Sequence, residues 1–320
     1  MRILSCVVAL AFVLASGMAE AQSYPSKPIR LIVPFPPGGS NDIVGRMIAA
    51  QLGERLGQQI VVENKGGAGG VLGTDAAAKS PPDGYTLLLI SVAYCFNPSL
   101  YKNLPYDQEK AFAPVSILAT GPVALTVHPD LPVNSARELI ALAKAKPGSL
   151  NYASAGVGSL QHLASAFFMS LAGIDVVHVP YKGGGPAMAD VMAGQAQIVM
   201  PSMIQVLPYV KSGRLKLLGT SGAKRSAVLP DVPTISESGL PGYEAHNWWG
   251  ILAPAGTPGP VIDKLHRELA AVLDSRETGK RFESEGAEAV RMSPAQFGRF
   301  IAAETAKWAK ASRDAGIRAE

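Results

Sequence analysis

The chain alternates between short runs of aliphatic or β-branched residues and longer stretches with apolar residues at helical spacing. Turns rich in glycine, proline and serine separate the two kinds of segment. In the first repeat, residues 29–33 form an apolar run, and residues 43–56 place Ile43 and Met47 on one helical face. Strands that alternate with helices in this way predict parallel sheets joined by crossover helices.

The same pattern extends along most of the chain. The predicted strands are residues 29–33, 60–63, 85–91, 123–127, 150–154, 174–179, 197–200, 214–219 and 248–254. The predicted helices are residues 43–56, 71–79, 134–145, 159–172, 185–193, 203–211, 258–274 and 294–312. Residues 97–114 and 221–243 are predicted to be loops.

The strands that begin near residues 123 and 248 both end at a proline and are each followed by a helix. Two strands of this kind can carry the chain between two lobes. We therefore expect an α/β fold with two lobes, two crossover strands and a ligand cleft between them. The predicted lobe 1 comprises residues 22–122 and 251–320, and the predicted lobe 2 comprises residues 123–250.

Three turns join a strand to a helix and carry glycine where the helix begins. They are residues 34–42, 154–162 and 180–186. The first N–H groups of a helix lack intrahelical acceptors, and glycine lets an anion such as a carboxylate approach them. Alternatively, Ser40, Asn41 and Ser159 are ordinary helix caps, and the glycines are ordinary turn residues. Asp42 also has two interpretations, a ligand contact or a favourable charge at a helix N-terminus.

The N-terminus has the form of a secretory leader. Arg2 precedes an apolar run over residues 3–15, and Ala19-Glu20-Ala21 has the A-x-A form of a signal-peptidase site. Because this run is shorter than the roughly 20 residues of a spanning helix, we expect cleavage after Ala21. The mature chain would be exported, and its remaining cysteine, Cys95, would have no intrachain partner.

Composition and motifs exclude several classes of function. The chain has 48% hydrophobic and 17% charged residues, and its net charge of +4 is not gathered into a basic patch. We therefore expect a folded protein with no nucleic-acid partner. Its glycine-rich segments lack the G-x-G-x-x-G and P-loop patterns, and its five histidines lack the spacing of a metal site. No cofactor and no metal are expected.

Ser159 and His162 allow a rival function, a secreted serine hydrolase. They lie three residues apart at the start of a predicted helix, so the two side chains could approach each other. However, Ser159 lacks the flanking glycines of a G-x-S-x-G nucleophile elbow, and no orienting acid is evident. For His162, a capping or core role and a ligand-binding role both stay open.

Seven segments, in order along the mature chain, carry a family resemblance. They are residues 24–42, 62–70, 104–107, 152–159, 179–183, 231–234 and 253–258. In these segments the chain resembles the extracytoplasmic solute receptors of tripartite tricarboxylate transporters, the Bug-type family. The resemblance implies a periplasmic binding protein of the type II fold, not an enzyme. It also implies a cleft that closes on a small carboxylate-bearing solute, and delivery of that solute to a membrane permease.

In that family the first and second turns hold the ligand carboxylate. Carried over to this sequence, the resemblance implies ligand contacts by Phe35, Gly39, Ser40, Ala155, Gly158, Ser159 and His162, and also by Tyr94 and Lys182. Asp42 and Ser202 complete the set of candidate ligand-binding residues.

One departure from the family bears on the ligand. Where many relatives carry an aromatic residue and an aspartate after the strand near Gln197, this chain has Met200-Pro201-Ser202. The missing acid disfavours a ligand with an amino group. We expect a di- or tricarboxylate, or an aromatic acid recognised partly by Phe35 and Tyr94. The receptor is expected to be a monomer, and a sensor protein is the alternative to a permease as its partner.

Overall fold

The computed structural model describes residues 24–314, so the predicted leader lies outside the described residues. The strands are β1 (Ile29–Val33), β2 (Ile60–Asn64), β3 (Thr86–Ser91), β4 (Phe112–Pro122), β5 (Ala124–Val127), β6 (Asn151–Ser154), β7 (Val177–Pro180), β8 (Ile198–Val199), β9 (Lys216–Thr220), β10 (His246–Pro254) and β11 (Glu288–Ala289). The helices are α1 (Ser40–Leu56), α2 (Val71–Ala78), α3 (Ala93–Leu100), α4 (Ala136–Ala145), α5 (Leu160–Ala172), α6 (Gly184–Met192), α7 (Met203–Lys211), α8 (Gly259–Asp274), α9 (Arg276–Ser284) and α10 (Pro294–Asp314).

The strands form two sheets, one in each lobe. The sheet of lobe 1 has the order β11-β4-β10-β3-β1-β2, and that of lobe 2 has the order β7-β6-β8-β5-β9. The predicted two-lobe α/β class is confirmed. Pairing is parallel among β1, β2 and β3 and among β6, β7 and β8, where helices connect the strands. In contrast, β10 and β5 pair antiparallel with their neighbours, because no crossover helix reverses the chain before them.

Both faces of the first sheet are buried under helices. In β3, Leu87 and Leu89 pack on the side of α1 and α8, whereas Leu88 and Ile90 pack on the side of α2, α3 and α10. Alternate side chains of a strand point to opposite faces, so a continuously apolar strand indicates a sheet covered on both sides. No helix in residues 24–314 is long and apolar enough to cross a bilayer.

The two crossovers differ in form. β4 leads into β5 through Val123 alone, whereas the return path runs through residues 221–245 before β10 begins. Ser221 joins the two paths, since its fully buried hydroxyl accepts the N–H of Val123 at 2.7 Å and donates to the carbonyl of Ala245. The chain therefore passes between the lobes at a single hydrogen-bonded hinge.

Several elements differ from the prediction. Residues 246–250, which the prediction assigned to lobe 2, pair with β4 in the sheet of lobe 1. The sequence pattern predicted a strand at β10, but it did not indicate that β10 pairs with β4. β4 was partly predicted as a loop because of its prolines. Pro114 is accommodated opposite Leu252, next to a register shift in the ladder. Helices α3 and α9 and strand β11 were not predicted.

Two buried residues of lobe 1 matter below. Gly250 lies at the other register shift of β10, and a Cβ at this position would lie 2.2 Å from Cζ of the fully buried Phe297. Cys95 is a free, buried cysteine whose Sγ lies 3.7 Å from the carbonyl of Ile301. Burial raises the pKa of this thiol to about 12.

Candidate functional site

A small cavity lies between the lobes. Its wall comprises Phe35, Pro36, Gly39, Ser40, Asn41, Ser91, Ala93, Ala155, Ser159, Leu160, Gln161, Gly184, Gln205 and Asn247. None of these side chains carries a charge, so any ionic ligand must be held by dipoles.

Residues from all three predicted glycine turns meet at this cavity. α1 and α6 begin after Gly39 and Gly183, which supply no side-chain cap, and α5 begins after Ser159. The first N–H groups of α1 and α6 have no side-chain cap, whereas the Ser159 hydroxyl accepts one N–H of α5. Each helix N-terminus carries a partial positive charge. Since α1 belongs to lobe 1 and the other two helices to lobe 2, the cavity suits an anion that bridges the lobes.

Asp42 stabilises the conformation of the first glycine turn, residues 34–42. Its carboxylate accepts the N–H of Gly38 at 3.0 Å, Nδ2 of Asn64 at 2.9 Å and Nε of Arg46 at 3.0 Å. Burial alone would raise the pKa of Asp42, but these hydrogen bonds outweigh it and hold the pKa below its ordinary value. Asn64 also donates to the carbonyl of Phe35 at 3.0 Å. Asp42 therefore positions the turn and is not part of the cavity wall.

Two amide networks fix the polar side chains of the wall. Asn41 accepts Nε1–H of Trp249 at 3.0 Å and donates to Oγ of Ser91 at 3.3 Å. Gln161 donates to Oε1 of Gln205 at 3.2 Å, and Nε2 of Gln205 donates across the lobes to the carbonyl of Gly38 at 3.3 Å. Both tryptophans of β10 are buried, so Trp249 supports the site from the core.

Gly184 has a steric role beside the second network. A Cβ at this position would lie 2.6 Å from Nε2 of Gln205 and 2.9 Å from Nε2 of Gln161. Any side chain here would therefore displace the two amides that line the cavity. In the adjacent Gly185, a Cβ would meet only the carbonyl of Pro37, at 3.9 Å.

Five of the predicted site residues line the cavity: Phe35, Gly39, Ser40, Ala155 and Ser159. The other six lie outside its wall: Asp42, Tyr94, Gly158, His162, Lys182 and Ser202. These five residues lie around one cavity, and their contact with a ligand stays a prediction.

The candidate residues outside the wall make other contacts or face solvent. The Tyr94 hydroxyl donates to the carbonyl of Gln108 at 2.9 Å, and its ring packs edge-on against Phe112. Lys182 is exposed to solvent. Ser202 is buried and accepts a hydrogen bond from the lining residue Asn247 at 3.0 Å. Gly158 lies where the lobes touch, since a Cβ there would approach Leu100 of lobe 1 to 3.2 Å.

Nine lining residues were not among the candidate ligand-binding residues: Pro36, Asn41, Ser91, Ala93, Leu160, Gln161, Gly184, Gln205 and Asn247. Gln161 and Gly184 lie inside turns that had already been singled out, and Ser91 ends a predicted strand. A search at the carboxyl ends of strands could have found these three. Gln205 and Asn247 carried no local signal.

His162 is a buried neutral histidine. Its ring stacks on His178 with centroids 4.4 Å apart, and its Nδ1 accepts the N–H of Gly158 at 3.4 Å. Burial, together with the neighbouring His178, lowers the pKa of His162 to about 4. The Ser159 hydroxyl accepts the backbone N–H of His162 at 3.3 Å, so it caps α5. This arrangement favours a structural pair over an activated nucleophile.

The buried imidazole should make stability depend on pH. The pKa of His162 lies near 4 in the folded protein, against an ordinary value of 6.5. Because only the unfolded state takes up this proton between those values, stability should fall as pH decreases from 6.5 to 4. At 1.36 kcal/mol per pKa unit, the loss is about 3 kcal/mol.

Urea unfolding of the wild type and His162→Phe at several pH values tests this. Phenylalanine keeps a ring against His178 but cannot titrate, so its profile should be flatter by about that amount. Parallel profiles for the two proteins would contradict the expectation.

No group of three His, Cys, Asp or Glu side chains within residues 24–314 could hold a metal ion. The cavity itself offers dipoles and amides, which suit a hydrogen-bonding anion.

Comparisons with known proteins identify the family of the chain. The family described as "Tripartite tricarboxylate transporter family receptor" matches residues 44–317. Protein BugT of Bordetella pertussis is 39% identical over 312 residues, 96% of each chain. The structure of R. palustris Rpa4515 with adipate has a TM-score of 0.90 at 35% identity and covers 92% of this chain and 99% of its own.

MatC (Rpa3494) from Rhodopseudomonas palustris, with bound malate, has a TM-score of 0.86 at 32% identity and covers 90% of this chain and 99% of its own. The expected periplasmic-binding fold is confirmed by these close structural matches. The chain therefore belongs to the receptor family of the tripartite tricarboxylate transporters.

Proposed function

We propose that this protein is a periplasmic receptor that captures a small dicarboxylate or tricarboxylate by lobe closure and delivers it to a tripartite tricarboxylate-type permease. The observation that carries the proposal is the uncharged cavity between the lobes, lined by helix N-termini from both of them. Receptors of this family are periplasmic and bind solutes.

Electrostatics favours a carboxylate in this cavity. Each helix N-terminus contributes the equivalent of roughly half a positive charge, so three of them offset much of the charge of a dianion. Open backbone N–H groups and the Ser40 hydroxyl can hydrogen-bond carboxylate oxygens, which replaces the water lost on burial. The adipate and malate of the two structural relatives are both dicarboxylates and support this ligand class.

Contacts between the lobes supply the closure step. Gln205 donates to the carbonyl of Gly38, and Gly183 approaches Pro36 so closely that a Cβ would lie 3.0 Å from its Cγ. We propose that these contacts form when the lobes close around the ligand. The ligand drives closure because it binds the closed arrangement better than the open one.

The wall also narrows the choice of solute. No carboxylate lines the cavity, so an ammonium group would find no counter-ion there. Phe35 lines the wall, whereas Tyr94 does not, which weakens the case for an aromatic acid. We therefore favour aliphatic di- and tricarboxylates.

Other parts of the proposal concern processing and partners. We propose cleavage after Ala21, action as a monomer without a cofactor, and no catalytic role. The capping role of Ser159 supports a receptor over the serine-hydrolase alternative. A sensor protein remains the alternative partner to the permease, and a pull-down with solubilised membrane proteins would distinguish them.

Thermal unfolding with a panel of acids tests the ligand class. Protein stripped of bound solute by unfolding and refolding is heated with succinate, malate, adipate, citrate, benzoate or aspartate. At about 100 times its dissociation constant, a true ligand should stabilise the fold by about 2.7 kcal/mol. We expect shifts with aliphatic polycarboxylates and none with aspartate. A panel without any shift would contradict the carboxylate proposal.

A further inference from the structure

The cavity wall contains a buried hydrogen-bond acceptor that no protein group satisfies. Asn247 lies at the start of β10, is 1% exposed and lines the cavity. Among residues 24–314, several buried side-chain atoms lack a hydrogen-bond partner, and Oδ1 of Asn247 is the one whose residue lines this cavity. An unpaired buried acceptor is costly, so its presence in a binding site points to a donor on the ligand.

Neighbouring hydroxyl groups set the orientation of the Asn247 amide. The Ser202 hydroxyl directs its single proton to Oγ of Ser40, 3.5 Å away. Ser202 must then accept from Asn247, whose Nδ2 lies 3.0 Å from it. This places the amide nitrogen on Ser202 and leaves the carbonyl oxygen free.

The same chain of hydrogen bonds places the free acceptor near a carboxylate position. Ser40 accepts from Ser202, so its own proton remains available for a ligand at the N-terminus of α1. Two hydrogen bonds, Asn247 to Ser202 and Ser202 to Ser40, thus connect Asn247 to the Ser40 hydroxyl, which would bind one ligand carboxylate. This proximity favours a donor on the ligand carbon next to that carboxylate as the partner of Asn247.

A hydroxyl group fits this acceptor better than an ammonium group. Oδ1 of Asn247 is uncharged, and no acidic side chain lines the cavity, so a buried ammonium would lack a counter-ion. A hydroxyl needs only the acceptor. On the basis of the proposed function, we infer that Asn247 is a specificity-determining residue that accepts a hydrogen bond from the hydroxyl of a 2-hydroxy dicarboxylate.

Calorimetric titration with matched acids tests the inference. Glutarate, 2-hydroxyglutarate and 2-oxoglutarate share one chain length, and succinate and malate form a second pair. The wild type should bind the hydroxy acid at least about tenfold more tightly than the unsubstituted acid of the same length, because only the hydroxyl satisfies the buried acceptor. In Asn247→Leu, which keeps similar volume, that ratio should fall to about one.

Asn41→Leu is the matched control. Asn41 lines the same cavity, but both ends of its amide have protein partners. We expect this variant to lose affinity for all the acids alike and to keep their ratio. If Asn247→Leu does not fold, Asn247→Ala replaces it.

Three results would overturn the inference alone: equal wild-type affinities for hydroxy and unsubstituted acids, a hydroxy preference that survives in Asn247→Leu, or a preference for 2-oxoglutarate. The last would mean that the amide is rotated and presents its donor. Absence of binding by all five acids would instead overturn the carboxylate-receptor proposal on which the inference rests.

Discussion

Gly184→Ala should weaken dicarboxylate binding by about 10- to 100-fold while the protein stays folded. The added Cβ would lie within 3 Å of the amide nitrogens of both Gln161 and Gln205. These are ends of flexible side chains, so the fold can accommodate the methyl group by moving them. Their displacement removes two hydrogen-bonding groups from the wall, each worth about 0.5–1.5 kcal/mol, and breaks the bond from Gln205 to Gly38.

Calorimetric titration with the best ligand of the panel measures the loss. Gly185→Ala is the matched control, because it adds the same methyl group one residue along α6, where the nearest atom lies 3.9 Å away. That variant should bind as the wild type does. Equal affinities for the two variants would contradict the role of Gly184.

Gly250→Ala should destabilise lobe 1 by about 3 kcal/mol, the upper part of the range for overpacked cores. The methyl group would lie 2.2 Å from Cζ and 2.8 Å from Cε1 of Phe297. Phe297 is fully buried and packs edge-on against Trp248. Unlike the glutamines beside Gly184, this ring cannot swing into solvent, so β10 or α10 must shift.

Urea denaturation measures the effect, and two comparisons isolate its cause. Gly259→Ala adds a methyl group with no atom within 4 Å and should change stability little. In a Phe297→Leu background, which gives the methyl group room, Gly250→Ala should cost clearly less than in the wild type. The same cost in both backgrounds would show that the ring is not the obstacle.

Local pattern was sufficient to predict most elements. The sequence prediction for α7, residues 203–211, agrees with the structure at both ends, and α5 agrees to within one residue. Such elements depend on periodicity and on capping residues such as Ser159, which are local properties. The glycine turns were recognisable for the same reason, and three of them contribute to one cavity.

The elements that were missed depend on contacts distant in sequence. β4 contains two prolines and was partly predicted as a loop, yet pairing with β10 along its full length makes it a strand. Gln205 and Asn247 lie at the cavity because contacts between the lobes and the β10 ladder place them there. Conversely, Tyr94 was expected at the ligand, but α3 turns it toward Gln108. No single-sequence pattern encodes these placements.

The burial of Cys95 makes the protein well suited to labelling studies of its own motion. Cys95 is the only cysteine in residues 24–314, and it is buried with a strongly raised pKa, so maleimide reagents should leave it unmodified in the folded state. One cysteine introduced at an exposed position of each lobe could then carry a fluorophore without removal of a native residue. Energy transfer between the two dyes would follow opening and closing of the lobes molecule by molecule.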